Sequence, residues 1–349
     1  MRLKSCFCLI AVFVLLLGCA LSESEDGGPA TAEVIKFKNY REALSYVQNN
    51  QPALLNVGKV NWKIDQLFEL KQAMPEGGQL AFSFTWCGAQ LTQADTEADL
   101  NGKTPRITGE QLEMLIDLCP GLRRLVVSRH RELSNPIMIP LLEKYPEIDF
   151  VWLVALGQGF TVRSDATAWS SQKTLSDKRK LTSENCENLR YVPGLRALDL
   201  GHNGVTSLDF LDYFPEMRIL ILADNKITDI GPLANLKHLE YVELFMNHIT
   251  DITPLTGLKE LRDLNLCRTK MKGVDLSPLD VLDLERFWCT QAEVSKEEQA
   301  RFIEANPETL SNFTVGSCTD MGWRDSYKYK QYRTMFKTFT WSEFVPPES

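Results

Sequence analysis

The sequence predicts an α/β repeat fold: a right-handed solenoid with a parallel β-sheet on one face and irregular helix-bearing repeats in the N-terminal half. Three observations lead there. "DNKITDIGPL" at 224–233 returns as "MNHITDITPL" at 246–255, after 22 residues. Around it, "LRALDLGHN" from Leu195, "MRILILADN" from Met217, "LEYVELFMN" from Leu239 and "LRDLNLCRT" from Leu261 align at that constant offset. Upstream, short apolar runs alternate with helix-like patterns at longer spacings, as coils with real helices require. The chain has 349 residues, 44% hydrophobic and 24% charged, so it is globular and not disordered. That length admits two ordinary domains or one elongated repeat domain.

Residues 1–18 read as a signal peptide. Arg2 and Lys4 precede "CFCLIAVFVLLLG", an apolar run too short and too early for an ordinary spanning helix. It ends in "LLGC", Leu16 to Cys19, which resembles the lipobox of bacterial lipoproteins. In that family the Cys thiol is lipidated and becomes the new N-terminus, so the resemblance implies lipidation at Cys19. Cleavage after Ala20 is the alternative and would give a secreted protein. Residues 19–33, with "SESEDGGPATA", suit a solvated, flexible tether. Nothing later reads as a transmembrane segment. The expected location is extracytoplasmic, lipid-anchored to the bacterial cell membrane.

Residues 34–190 read as irregular N-terminal repeats or a separate cap. "GQLAFSFTW" alternates Leu80, Phe82, Phe84 and Trp86 and predicts a strand. "LRRLVVS" from Leu122 and "IDFVWLVAL" from Ile148 predict two more. "NYREALSYVQNN", "TGEQLEMLIDLCPG" and "NPIMIPLLEKYPE" predict helices, and "GQGFTVRSDATAWSSQ" a hairpin or excursion.

Residues 191–310 carry the regular array. Each aligned segment follows L-x-x-L-x-L-x-x-N, the leucine-rich-repeat signature. In Leu239-x-x-Val242-x-Leu244 the last two apolar residues lie two apart, so a short strand turns both inward. Asn247 follows the strand, where its amide can bond backbone groups of its own and neighbouring coils. Pro254 stiffens the return path. One coil cannot bury its own leucines, whereas stacked coils can. The crossovers are right-handed. With "I-x-D-I-x-P-L", the segment 195–282 resembles the internalin-like bacterial type. Thr269 departs from the Asn rule and weakens the ladder there. Later repeats lengthen to 23 and 26 residues, and Ser295 with Glu298 marks a capped helix. Residues 311–349 read as a C-terminal cap. There, Tyr329, Tyr332, Met335 and Phe336 have helix-like spacing and can cover one end of the solenoid, with residues 34–79 at the other.

A search for reaction chemistry finds none. The four histidines form no H-E-x-x-H or close pair, and no nucleophile elbow, Walker loop or dinucleotide fingerprint is present. Asp229 and Asp251 hold equivalent repeat positions, so their role is structural. Cys87, Cys119, Cys186, Cys267, Cys289 and Cys318 are even in number, which permits disulfides in an oxidising compartment. Their spacing gives no zinc pattern, and buried free thiols are the plainer expectation. No enzyme activity, cofactor or metal is expected. A net charge of −8 with pI about 5.3 argues against a nucleic-acid partner. It also argues against general adhesion to anionic lipid, leaving the lipid anchor as the membrane contact.

The array offers a surface. Outward strand positions, stacked about 4.8 Å apart, bring Ile219, Ile221, Tyr241, Glu243, Phe245, Met246, Arg268, Arg286 and Trp288 into one neighbourhood. Aromatics with Arg and Met are what interface cores favour. The resemblance also implies interaction, so the expected function is a non-enzymatic module that binds a protein or peptide through this strand face. Two alternatives stay open. A neighbouring loop or the C-terminal segment covers these positions. Or the chain is an enzyme or glycan-binding protein with a site in residues 80–190, where Trp86, Arg106, Arg129, His130, Arg131, Asp165 and Trp169 could form a polar pocket.

Overall fold

The computed structural model of the protein describes residues 33–102, 106–171, 178–314 and 316–347. The signal peptide, the tether as far as residue 32 and Cys19 lie outside the described residues.

The N-terminal half alternates strands and helices. Helix α1 (Tyr40–Asn50) starts where the Asn39 side chain accepts a bond from the Glu42 amide at 3.1 Å, replacing a partner the first turn lacks. Strand β1 (Leu54–Val60), helix α2 (Ile64–Gln72), strand β2 (Gln79–Trp86) and strand β3 (Ala89–Thr92) follow. β1 pairs parallel with β2, and β2 antiparallel with β3. The alternation read in β2 holds: Leu80, Phe82 and Phe84 are buried, and Trp86 half-buried. Strand β4 (Glu97–Asp99), helix α3 (Gly109–Leu118), strand β5 (Arg124–Val126), helix α4 (Asn135–Lys144) and strand β6 (Asp149–Val151) form a second, parallel sheet with helices on the return paths. A Thr108–Gln111 capping box opens α3. Strands β7 (Leu153–Gly157) and β8 (Phe160–Arg163) are the hairpin expected from "GQGF".

The regular array is a seven-stranded sheet, parallel throughout. It runs from β9 (Ala168–Ser170) through β10 (Ala197–Asp199), β11 (Ile219–Ile221), β12 (Tyr241–Glu243), β13 (Asp263–Asn265) and β14 (Arg286–Trp288) to β15 (Leu310–Asn312). The sequence period becomes register: Ala197, Ile219, Tyr241, Asp263, Arg286 and Leu310 are successive partners. A short helix α5 (Ser183–Cys186) precedes β10, and 3-10 turns such as Gly231–Asn235 and Thr253–Gly257 make the return paths. In both turns Pro stands near the start, where its missing N–H costs nothing. Helix α6 (Lys296–Ala305) replaces the turn before β15, capped by Ser295 as predicted.

The asparagine ladder explains the invariant letter of the repeat. Asn247 Nδ2 donates to Leu244 O of its own coil and Leu222 O of the preceding one, both at 2.9 Å. Its Oδ1 accepts from Ile227 N at 3.0 Å. Asn225 repeats all three bonds one coil earlier. Thr269 makes only the bond to its own coil, from Oγ1 to Leu266 O. Three residues past the ends of β10 to β14 the chain turns through a left-handed residue: His202, Asp224, Met246, Arg268 and Gln291 have φ between 52° and 61°.

One apolar core runs continuously under the sheets from Ala43 to Phe313. The seven-stranded sheet has a second apolar layer on its opposite face. That layer is completed by helix α7 (Tyr327–Thr338) and its flanking segments. The C-terminal segment therefore does not close the end of the solenoid, as the sequence suggested. β15 stays at the sheet edge with Leu310 60% exposed, and α7 lies across the strand face. The apolar stripe of α7 buries more by meeting that aromatic face than it would at an edge of small extent.

Candidate functional site

The strand face proposed from sequence as an open patch is occupied by the chain itself. Tyr241 and Ile219 are fully buried, and Ile221, Glu243, Phe245, Arg286 and Trp288 are buried with them. Met246 is half-buried at the margin. Arg268 is exposed there, with its Nε donating to Gln291. The expectation of solvent-facing side chains is corrected for the other seven. The cause is Trp323, whose ring centroid lies 5.5 Å from Tyr241 and 5.3 Å from Trp288, with Tyr332 5.2 Å from Tyr241. The alternative of cover by the C-terminal segment is what the structure has.

The carboxylates on the strands have named donors, whereas Arg286 Nη2 is buried without a hydrogen-bond partner among the described residues. The Glu243 carboxylate accepts from Tyr241 Oη at 2.5 Å, Trp323 Nε1 at 2.9 Å and Tyr332 Oη at 3.4 Å. Burial outweighs these donors and holds its carboxyl above the usual range. Lys328 Nζ donates to Asp263 and Glu285, both at 2.7 Å. Burial pulls the Lys328 ammonium down, but these two carboxylates hold it above its ordinary value. Asp263 also accepts from Arg286 Nε, and Arg286 Nη1 donates to Trp323 O at 3.0 Å while its guanidinium lies over the Trp323 ring. At the far side, Phe339 O accepts from the Thr167 and Ala168 amides at the start of β9. The segment thus spans the sheet from β14 to β9.

A cleft of about 610 Å³ remains open at the exits of β4 and β5, lined by Gly88, Asp99, Asn101, Gly102, Ser128, Arg129, Leu153 and Arg163. Asn101 organises its floor. Its Oδ1 accepts from Arg129 N at 2.8 Å, and its Nδ2 donates to Ser128 Oγ at 3.4 Å. Arg163 makes a bidentate pair with Asp165 at 2.9 and 2.7 Å. That guanidinium is the main cause holding the Asp165 carboxyl below its ordinary value. The rim needs glycine. A Cβ on Gly102 would stand 2.4 Å from Cys87 O and 2.7 Å from Gly88 Cα, so the β2–β3 turn could not sit there.

The polar residues read from 80–190 do not converge on this cleft as a set. Of them, only Arg129 lines it. His130 is buried, its Nε2 bonded to Leu100 O at 2.7 Å and its Nδ1 to Glu132 at 3.1 Å. Trp169 is buried and donates to Thr161 O. Asp165 serves Arg163 and Arg124, Trp86 is half-buried, and Arg106 and Arg131 are exposed. Sequence reasoning missed Asp99, Asn101, Ser128 and Arg163. Their signal was available in the position of Asn101 and Ser128 just past two strands. The cleft brings together hydrogen-bonding groups and no nucleophile with a base beside it. Among the described residues, no group of three or more His, Cys, Asp or Glu side chains is placed to hold a metal. Nor is any helix long and apolar enough to cross a membrane.

Stacked strands, an asparagine ladder and a 22-residue register decide the architecture. The fold is a leucine-rich-repeat solenoid. Residues 193–235 and 215–258 match the family described as Leucine Rich repeats (2 copies). No curated protein matches the chain in sequence. Among solved structures, internalin C2 of Listeria monocytogenes is similar at 19% identity, covering 65% of this chain and 86% of that one, with a TM-score of 0.35. A second Listeria monocytogenes internalin, InlF, is 18% identical over 80% of this chain and 84% of its own, with a TM-score of 0.39. A Leptospira interrogans leucine-rich-repeat protein is 16% identical over 74% of this chain and 71% of its own, with a TM-score of 0.38. Leucine-rich-repeat proteins generally mediate protein–protein interaction, and the family is typically a non-enzymatic scaffold.

Proposed function

We propose that the protein is a non-enzymatic, extracytoplasmic interaction module that binds a protein or peptide. It is tethered by lipid on Cys19, with residues 19–33 as spacer. The observation that carries the reading is the division of the strand side. The face over β10–β14 is filled by the C-terminal segment, while the cleft at the β4 and β5 exits is open and lined by Asp99, Asn101, Ser128, Arg129 and Arg163. The binding site is therefore moved from the array to this cleft. Arg129 is exposed, and its guanidinium has one long bond, 3.4 Å to Asn101 O, so it can meet a partner's carboxylate or carbonyl. Shape and hydrogen bonding do the work, with no bond made or broken.

The test uses the mature protein as bait on whole cells and culture supernatant. A partner held by the wild type should be lost on the order of tenfold by Arg129→Ala and Arg163→Ala, since each removes a hot-spot type of contact. Both variants should melt as the wild type does. Equal retention by all three proteins rules out the cleft. Lipidation is tested apart, by the mass of the N-terminal peptide and its loss of lipid in Cys19→Ser.

A further inference from the structure

We propose that Cys267 and Cys318 form a disulfide that fastens the C-terminal segment to the strand face. Both residues belong to the apolar layer between sheet and segment, and both are buried. Both are free thiols, and each perturbs the other's titration, Cys318 lowering the Cys267 thiol and Cys267 raising that of Cys318. The backbones are held in place by one side chain. Asn265 Nδ2 donates to Cys318 O at 2.7 Å, while Asn265 Oδ1 accepts from Cys267 N at 3.1 Å. Asp320, two residues beyond Cys318, is fixed as well, because its carbonyl accepts from Trp288 Nε1 at 3.0 Å. Two cysteines far apart in the chain are thus brought together across an interface.

Cys289 and Cys119 are not so placed. Cys289 belongs to the core beneath the sheet, at the repeat position of Leu266, so its side chain is on the opposite face from Cys267. Cys119 gives its hydrogen to Thr92 O. Cys267 is also the better nucleophile of the pair. Two hydrogen bonds from Thr290, at 3.1 and 3.3 Å, favour its thiolate, and they persist when Cys318 has lost its hydrogen to the mixed disulfide.

The chemistry is thiol–disulfide exchange with a disulfide oxidant. While the segment is lifted, the Cys318 thiolate attacks the oxidant, which releases one thiolate and leaves a mixed disulfide on Cys318. On docking, the Cys267 thiolate attacks the Cys318 sulfur and expels the second oxidant thiolate. The two cysteines lose two electrons and two protons, and the oxidant gains them as two thiols. Supply of such an oxidant in the cell rests on the proposed extracytoplasmic location. The closed link would hold the C-terminal segment as a permanent occupant of the strand face, and reduction would return it to reversible docking.

The experiment equilibrates purified protein with oxidised glutathione, quenches in acid, alkylates under denaturing conditions and maps peptides by mass. The expected product joins the Cys267 and Cys318 peptides, lighter than their sum by two hydrogens. It forms equally in Cys289→Ser. Tryptic cleavage within 324–347 should then slow on the order of tenfold or more relative to reduced protein. Separate alkylation or glutathionylation of Cys267 and Cys318, or a link from either to another cysteine, overturns the proposal. A link that forms in glutathione but is absent from protein isolated from cells overturns the location instead.

Discussion

Trp323→Ala tests whether the C-terminal segment is a docked element with its own stability. Trp323 is fully buried, packs on Tyr241 and Trp288, lies under the Arg286 guanidinium and donates to Glu243. Truncating a buried Trp costs about 3–5 kcal/mol through lost burial and the cavity left behind. The Glu243 hydrogen bond falls inside that range, because Tyr241 and Tyr332 still serve the carboxylate. Every 1.4 kcal/mol is tenfold, so even the lower figure shifts docked against undocked segment about a hundredfold. Lys330, Arg333 and Lys337 on α7 provide trypsin sites to read it. Where reclosing is fast, cleavage follows the open population. Under reducing conditions Trp323→Ala should be cut there about a hundredfold faster, while residues 195–310 stay intact. Trp323→Phe keeps ring contacts and loses the donor, so it should fall between, near the 0.5–1.5 kcal/mol of one hydrogen bond. Unchanged cleavage in Trp323→Ala refutes the docking, and simultaneous digestion of the array refutes its independence.

Two more outcomes follow from particular bonds. Asn247→Ala strips a donor from Leu222 O and Leu244 O and an acceptor from Ile227 N, all inside the stack. Asn225 Nδ2 still serves Leu222 O, so two buried backbone groups, Leu244 O and Ile227 N, lose their partner; at about 1–3 kcal/mol each a loss of about 2–6 kcal/mol in urea denaturation is expected, and a loss under about 1 kcal/mol contradicts the ladder. Glu243 has a folded-state carboxyl raised above the ordinary 4.5 by burial, so the native protein keeps that proton after the unfolded chain has released it. Stability is then greatest below 4.5 for this group and is lost as pH rises through its folded value. Asp199, raised by burial, acts in the same direction. Glu243→Gln should flatten that decline in thermal melts across the acid range, and an unaltered slope rejects the assignment.

The array was legible because each of its letters has a local duty. Leu198, Leu220, Val242 and Leu264 recur at 22 residues and meet as direct strand partners, so period and register are one fact. Asn203, Asn225 and Asn247 recur because each must reach the coil before it, Asn203 through Ser171 Oγ, and Thr269 announced its weaker bond in the sequence. The helices of the N-terminal half carried caps at Asn39 and Thr108, again local signals. The open cleft was harder to see. Gly88, Asn101, Ser128 and Arg163 come from four separate loops or strand ends, and no periodicity connects them. Their juxtaposition depends on where the β2–β3 turn lies against Gly102, a contact defined by what is missing from a side chain.

The covering of the strand face had a signal of a different kind. Asp199, Glu243 and Asp263 hold outward strand positions among Ile219, Ile221, Tyr241 and Trp288. A carboxylate amid aromatics on an open face would remain in water at little cost, and so would say little. The same carboxylate beneath a lid requires a named donor, since an unpaired buried charge costs several kcal/mol. The tail "GWRDSYKYKQY", 322–332, carries donors for two of the three: Trp323 and Tyr332 for Glu243, and Lys328 for Asp263. The acids of β12 and β13 and their donors at Trp323, Lys328 and Tyr332 form a complementary pair within one chain. The letters that vary between repeats do choose a partner, and over β10–β14 that partner is residues 318–344 of the same molecule.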